Sequence, residues 1–170
     1  MSSKSSPLIL TLKLDQATFE VVNTLRQQHF PAEINFLPAH VTLFHALPGN
    51  QIDPIQQNLH YLCEQASALP FTLPKLRFLG NGVAIEVESP ELVQLRRGLA
   101  EHWHSWLTPQ DRQGYKPHIT IQNKVKAEVA RPLYNQLNET WKPLEGQGEG
   151  LLLWFYQGGP WEPAGEFLFS

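Results

Sequence analysis

The sequence predicts an α+β chain built from two related lobes, and three observations carry that prediction. Strand-like and helix-like stretches alternate along 170 residues in an order that nearly repeats. One four-residue pattern, His-apolar-Thr-apolar, occurs once in each half, as His40-Val41-Thr42-Leu43 and as His118-Ile119-Thr120-Ile121. No linker long enough to separate the halves lies between them, so residues 1–170 are expected to form a single two-lobed domain.

The elements follow in order. Leu8 to Leu14 (LILTLKL) is strongly apolar with partial alternation and reads as a strand. Asp15 is a good N-cap for a helix through Gln28, with Phe19, Val22 and Leu25 on one face, and Pro31 ends it. The first motif strand spans Ala39 to Leu47, after which Pro48-Gly49-Asn50 turns the chain. Asp53 is expected to cap the next helix, with Pro54 at its first position and a stripe of Ile55, Leu59, Leu62, Ala66 and Leu69. Cys63 borders that stripe and reads as a packed small residue, since nothing near it in sequence would lower its pKa.

Phe71 to Leu79 and Val83 to Val87 read as a hairpin around Gly80-Asn81-Gly82. Ser89-Pro90 opens a helix lined by Leu92, Leu95, Leu99, Trp103 and Trp106. A polar loop, Thr108 to Pro117, delivers the second motif strand. The helix that follows, Lys126 to Thr140, contains Pro132, so it either starts late or kinks. Leu151 to Gln157 is continuously apolar and reads as a buried strand; Gly158-Gly159-Pro160 turns it into a last strand ending near Phe169.

Strand residues two apart share a face, so each motif sets an imidazole and a hydroxyl side by side. Val41 and Leu43, like Ile119 and Ile121, then point the other way into a core. Packed on one axis, related lobes bring the two motif strands face to face across a cleft. Two histidines there can share one task, one taking a proton while the other gives one. In-line displacement at phosphorus needs that pair on opposite sides of the phosphate, and threonine hydroxyls can donate to its non-bridging oxygens. The plainer alternative is a pair of unrelated histidines on amphipathic strands.

Composition narrows the partners. An apolar fraction of 42% with 17% charged residues describes a globular chain. A formal charge of −3 argues against a footprint on duplex DNA, though a phosphate ester or RNA end needs only local positive charge. The single cysteine fits a reducing, cytoplasmic compartment. Met1 to Ser6 is polar and without a signal-peptide apolar region, and no run reaches membrane-spanning length, so no membrane partner is expected. A monomer is expected.

The paired His-x-Thr-x motifs, about 80 residues apart in a duplicated α+β chain, resemble the two-histidine phosphoesterase superfamily, which includes the 2′-5′ RNA ligases and RNA 2′,3′-cyclic phosphodiesterases. The resemblance covers the whole chain in element order. It implies two pseudo-symmetric lobes of antiparallel sheet with outer helices, the motif strands facing a central cleft. It also implies metal-independent chemistry on 2′,3′-cyclic phosphates or 2′-linked esters of a small nucleotide or RNA end, with no cofactor. Carried over residue by residue, His40 and His118 match the catalytic histidines, and Thr42 and Thr120 the phosphate-binding positions.

Neighbouring residues extend these readings. Phe44 continues the face of His40 and Thr42, where it either stacks on a base or packs. Lys124 continues the face of His118 and Thr120, where it either adds charge beside the phosphate or ends the strand in solvent. His45 has the opposite parity to His40 and is expected outside the cleft. His102 and His104 read as surface or helix-end residues. Trp154 and Tyr156 share a face of a buried strand and read as core, with a base platform as the lesser alternative. A nucleotide-binding module with little turnover is the rival to an enzyme; a metal-dependent hydrolase lacks carboxylates near either motif.

Overall fold

Strand β1 (Leu8–Leu14) is central to the larger of two antiparallel sheets; helix α1 (Gln16–His29), β2 (Val41–Leu47) and α2 (Ile52–Gln65) follow it. Next come β3 (Leu69–Leu73), β4 (Leu76–Phe78), β5 (Val83–Glu86) and α3 (Pro90–His102). A one-turn helix α4 (Pro109–Arg112), β6 (His118–Gln122), α5 (Ala127–Thr140), β7 (Leu144–Tyr156) and β8 (Trp161–Leu168) complete the order. The structure is a computed structural model that describes residues 6–170; of the polar stretch Met1 to Ser6, all but the last residue lies outside the described residues.

The strands form a five-stranded sheet of order β2-β1-β7-β3, with β8 also paired to β7, and a three-stranded sheet of order β4-β5-β6. All pairings are antiparallel. The fold is therefore α+β with two sheet lobes. The β1-α1-β2-α2 order of the first is echoed by β5-α3-β6-α5 in the second.

Helix starts obey the local chemistry expected of them in two places. Asp15 accepts the Thr18 amide at 3.1 Å at the head of α1, and Ser89 Oγ accepts the Leu92 amide at 3.1 Å at the head of α3. Elsewhere boundaries move. Helix α2 begins at Ile52, so Asp53 lies inside its first turn, not at the cap. It ends at Gln65, which leaves Ala66 and Leu69 outside the helix. The expected strand Phe71 to Leu79 breaks at Pro74-Lys75 into β3 and β4, which join different sheets. Proline has no amide to donate to a ladder, so a strand interior cannot pass through it. The last strands also depart from a simple repeat, because β7 starts at Leu144 and runs back beside β1 in the larger sheet.

Each motif strand is the edge of its own sheet, β2 in one and β6 in the other, and the two edges approach one another. Val41, Leu43, Ile119 and Ile121 are completely buried behind them. Burial of side chains of this size stabilises by roughly 1.5–3 kcal/mol each, which anchors both walls of the space between the edges.

Candidate active site

His40, Thr42, His118 and Thr120 line one cleft of about 430 Å³ between the sheet edges. The two histidines are held alike. His40 Nδ1 lies 2.8 Å from the Pro38 carbonyl and His118 Nδ1 lies 2.9 Å from the Lys116 carbonyl. A carbonyl oxygen only accepts, so each Nδ1 carries the proton in these bonds and each Nε2 is left as the other titrating atom. The proline in each Pro38-x-His40 and Pro117-His118 opening suits a strand start, where no ladder donor is needed.

The surroundings of the two rings differ. Burial pushes the His40 pKa down to about 4; its bond to the Pro38 carbonyl opposes the fall and the Arg26 charge adds to it. Trp161 meets the His40 ring edge-on, with centroids 4.9 Å apart, and is in turn tilted against Trp154 at 5.9 Å. His118 is also lowered, by burial first, with the Lys116 carbonyl opposing and the Arg77 charge contributing. Arg77 Nη1 sits 3.3 Å from His118 Nδ1, while its Nε faces Glu86 at 3.4 Å. The shorter Lys116 bond sets the His118 tautomer, so Arg77 acts on the ring as a neighbouring positive charge.

Buried arginines pin both motif strands, each from a helix of the other half. Arg26 on α1 donates through Nη1 to the Thr120 carbonyl at 2.9 Å and through Nε to Asn35 Oδ1 and the Leu37 carbonyl. Arg96 on α3 donates to the Leu43 carbonyl at 3.1 Å and the Asp111 carbonyl at 2.7 Å, its guanidinium lying over the Phe44 and Tyr115 rings. Tyr115 Oη donates to the Thr42 carbonyl at 2.8 Å. Edge strands leave carbonyls without ladder partners, and these three donors occupy them.

A β-bulge follows the threonine in each motif and overturns the parity expected beyond it. Thr11 pairs with Thr42 but Leu10 with Phe44, so Leu43 is an extra residue; Ala84 pairs with Thr120 but Val83 with Gln122, so Ile121 is another. One inserted residue reverses every later side chain. Phe44 is consequently 0% exposed, packed edge-on against Trp103 at 5.4 Å, and is core, not a base platform. His45, expected outside, lines the cleft. Its Nδ1 lies 3.1 Å from Asp111 Oδ1, and the same carboxylate accepts the backbone amides of His45 and Ala46.

In the second motif Gln122 turns inward, and its Oε1 has no hydrogen-bond partner. Gly82 lies so close to the Gln122 carbonyl that any Cβ would collide with it. Lys124 lies beyond the end of β6, exposed and with φ +61°, and is not among the cleft residues, which fits the solvated strand end of its two readings. Arg77 and Lys116 line the cleft instead.

Of the remaining expectations, Tyr156 is 45% exposed and not core. Trp154 donates its indole N–H to Thr11 Oγ1 at 3.0 Å in a neighbouring groove that shares His40 and Trp161 with the cleft. Cys63 is buried, and burial pushes its thiol up to about 12, as befits a packing residue. Among the described residues no group of three or more His, Cys, Asp or Glu side chains is placed to hold a metal ion, and no helix is long and apolar enough to cross a membrane.

Arg26, Arg77, Arg96, Asp111, Tyr115 and Trp161 were not signalled by either motif. Arg77, Arg96 and Trp161 reach the cleft, and Arg26 the back of Thr120, from elements distant from the strand each meets, while Asp111 and Tyr115 come from the loop just before the second motif; none carries a local pattern. The bulge at Leu43-Phe44 had one legible trace, two consecutive large apolar residues in an otherwise alternating strand.

The sequence model of the 2′-5′ RNA ligase superfamily matches residues 14–160. No curated protein matches the chain. Among solved structures, TT0787 of Thermus thermophilus superposes with a TM-score of 0.71 at 17% identity, covering 96% of this chain and 97% of that one. E. coli LigT complexed with 3′-AMP gives a TM-score of 0.62 at 18% identity, covering 97% and 98%. Kluyveromyces marxianus Usb1 with uridine monophosphate gives 0.51 at 12% identity, covering 96% and 100%. These likenesses are of fold.

Proposed function

The chain belongs to the 2′-5′ RNA ligase superfamily, and from that premise we propose that it is a metal-independent phosphodiesterase acting on 2′,3′-cyclic phosphates or 2′-linked phosphoesters of a nucleotide or RNA end. The observation that carries this reading is the pair of histidines, each tethered through Nδ1 to the carbonyl two residues before it, in one cleft with two threonines. LigT with 3′-AMP and Usb1 with uridine monophosphate support a ligand of nucleotide size.

The unequal surroundings of the histidines support a division of roles. The group with the lower pKa is the one left neutral when its partner is protonated. His40, lowered to about 4, is therefore the base, and His118, lowered less far, the acid. His40 Nε2 takes a proton from the attacking water as its oxygen bonds to phosphorus. His118 Nε2–H protonates the ester oxygen whose bond to phosphorus breaks. Thr42 and Thr120 donate to the non-bridging oxygens, where charge builds. The product is a phosphomonoester, and proton exchange with solvent resets the pair.

Purified protein incubated with EDTA and adenosine or cytidine 2′,3′-cyclic phosphate, or with an oligoribonucleotide ending in that group, tests the proposal. Ring opening to a monophosphate is expected. Binding without turnover would favour a nucleotide-binding module, and activity restored only by added zinc or manganese would favour a metal-dependent hydrolase.

A further inference from the structure

The third histidine of the cleft is neither the acid nor the base of the proposed reaction, although its charge reaches both of those rings. The Asp111 side chain is fully buried while the His45 side chain is 48% exposed. Burial alone would raise the Asp111 carboxyl, but its bonds from the His45 ring and from the His45 and Ala46 amides outweigh that and hold it below the usual range. An ionised carboxylate only accepts, so His45 Nδ1 carries the proton between them and Nε2 is directed away from Asp111. Backbone amides already satisfy the carboxylate, so the ring contact is not needed to fold the loop. It fixes the imidazole's orientation.

Basic side chains reach the same cleft from the other sheet. Lys116 and Arg77 line the cleft with His45, and Asp111, turned into its own hydrogen bonds, is the one acidic side chain among the lining residues. Among the described residues Lys116 has no carboxylate partner. A chain with a net charge of −3 thus keeps a lysine without a carboxylate in this cleft, beside an Arg77 that shares Glu86 at 3.4 Å. The duplication sharpens the point, since Asn123 follows the second bulge where His45 follows the first.

We propose that His45, oriented by Asp111 and assisted by Lys116, receives a second phosphate of the substrate, distinct from the one that reacts. The substrate class is then a nucleotide or RNA end bearing a cyclic or 2′-linked phosphate together with another phosphate nearby. This rests on the functional reading above for the identity of the reacting group, but binding alone tests it.

Calorimetric titration at low salt with adenosine 2′-monophosphate and adenosine 2′,5′-bisphosphate, neither of which needs turnover, compares one phosphate with two. The bisphosphate is expected to bind at least about tenfold tighter, the worth of a charge-assisted hydrogen bond, and His45→Ala and His45→Gln should each bring the ratio close to one. A variant that failed to fold would lose both ligands, so the ratio is read only where the monophosphate still binds, and His45→Gln keeps the size and polarity of the site. Equal binding of the two ligands by the unaltered protein, or a preference that survives both substitutions, would overturn the proposal. Absence of turnover on any cyclic phosphate, with the ratio intact, would instead count against the catalytic reading and leave the subsite standing.

Discussion

The two motif strands begin as copies and end as opposites. Both open after a proline, tie an imidazole Nδ1 to the carbonyl two residues back, present a threonine, bulge, and are pinned by an arginine from the other half. Past the bulge the first sends Phe44 into the core and returns His45 to the cleft against Asp111. The second buries an amide oxygen without a partner and leaves the sheet through a left-handed lysine. The histidines diverge too, one walled by Trp161 and strongly desolvated, the other beside the Arg77 charge. A duplicated frame thus supplies two matched groups in unequal environments, which under the proposed function would separate an acid from a base.

The largest expected effect removes the matched groups themselves. His40→Ala or His118→Ala should lower kcat/KM by about 10²- to 10⁴-fold, and the double variant should be little worse, because residues that act as a unit are not additive. Single-turnover rates on a cyclic nucleotide check this; near-normal turnover in His118→Ala would break the pairing. Next come the hydroxyls. Thr42→Val and Thr120→Val keep the branched shape and remove a donor, so each should cost up to about 10²–10³ in kcat.

The pH dependence probes the asymmetry directly. With His40 as base, kcat/KM should rise with pH through about 4. It should fall again as His118 loses its proton below the ordinary histidine value of 6.5, which gives an acidic optimum. Stability shifts in the same window. His40 binds its proton at about 4 when folded and at 6.5 when unfolded, so between these values the unfolded chain holds more protons. Melting temperature should therefore decline as pH falls from 6.5 toward 4, and His40→Ala should flatten part of that slope. The smallest effect concerns the mismatched bulge. Gln122→Met removes a buried acceptor without a partner and should raise stability by about 1 kcal/mol, read as a small increase in melting temperature.

The motif pairs were legible because alternation in a strand has period two, and His40 with Thr42 or His118 with Thr120 needs only that rule. The rule failed one residue later. Each bulge adds a residue that shows itself chiefly in the pairing, so Phe44 and His45 lie on the opposite side from the one alternation predicts. The break at Pro74 is legible in the sequence, since a proline in a run flanked by Phe71 and Leu79 argues against one continuous strand. The Arg26 and Arg96 contacts had no local signal, since they span sequence separations of 94 and 53 residues. Lobe membership was hidden for the same reason, because the order of elements does not say that β7 returns to β1.

That return has a consequence for how the protein is made. Strand β1 has β2 on one side, but its other side waits for Leu144–Tyr156, a segment synthesised long after β1 and β2. Until that segment leaves the ribosome, the growing chain carries an open, strongly apolar strand edge, the kind of surface that invites pairing between nascent chains. Completion of the larger sheet is thus delayed until the smaller one has already been synthesised in full. Chaperones that shelter exposed strands would matter most for this protein in that interval.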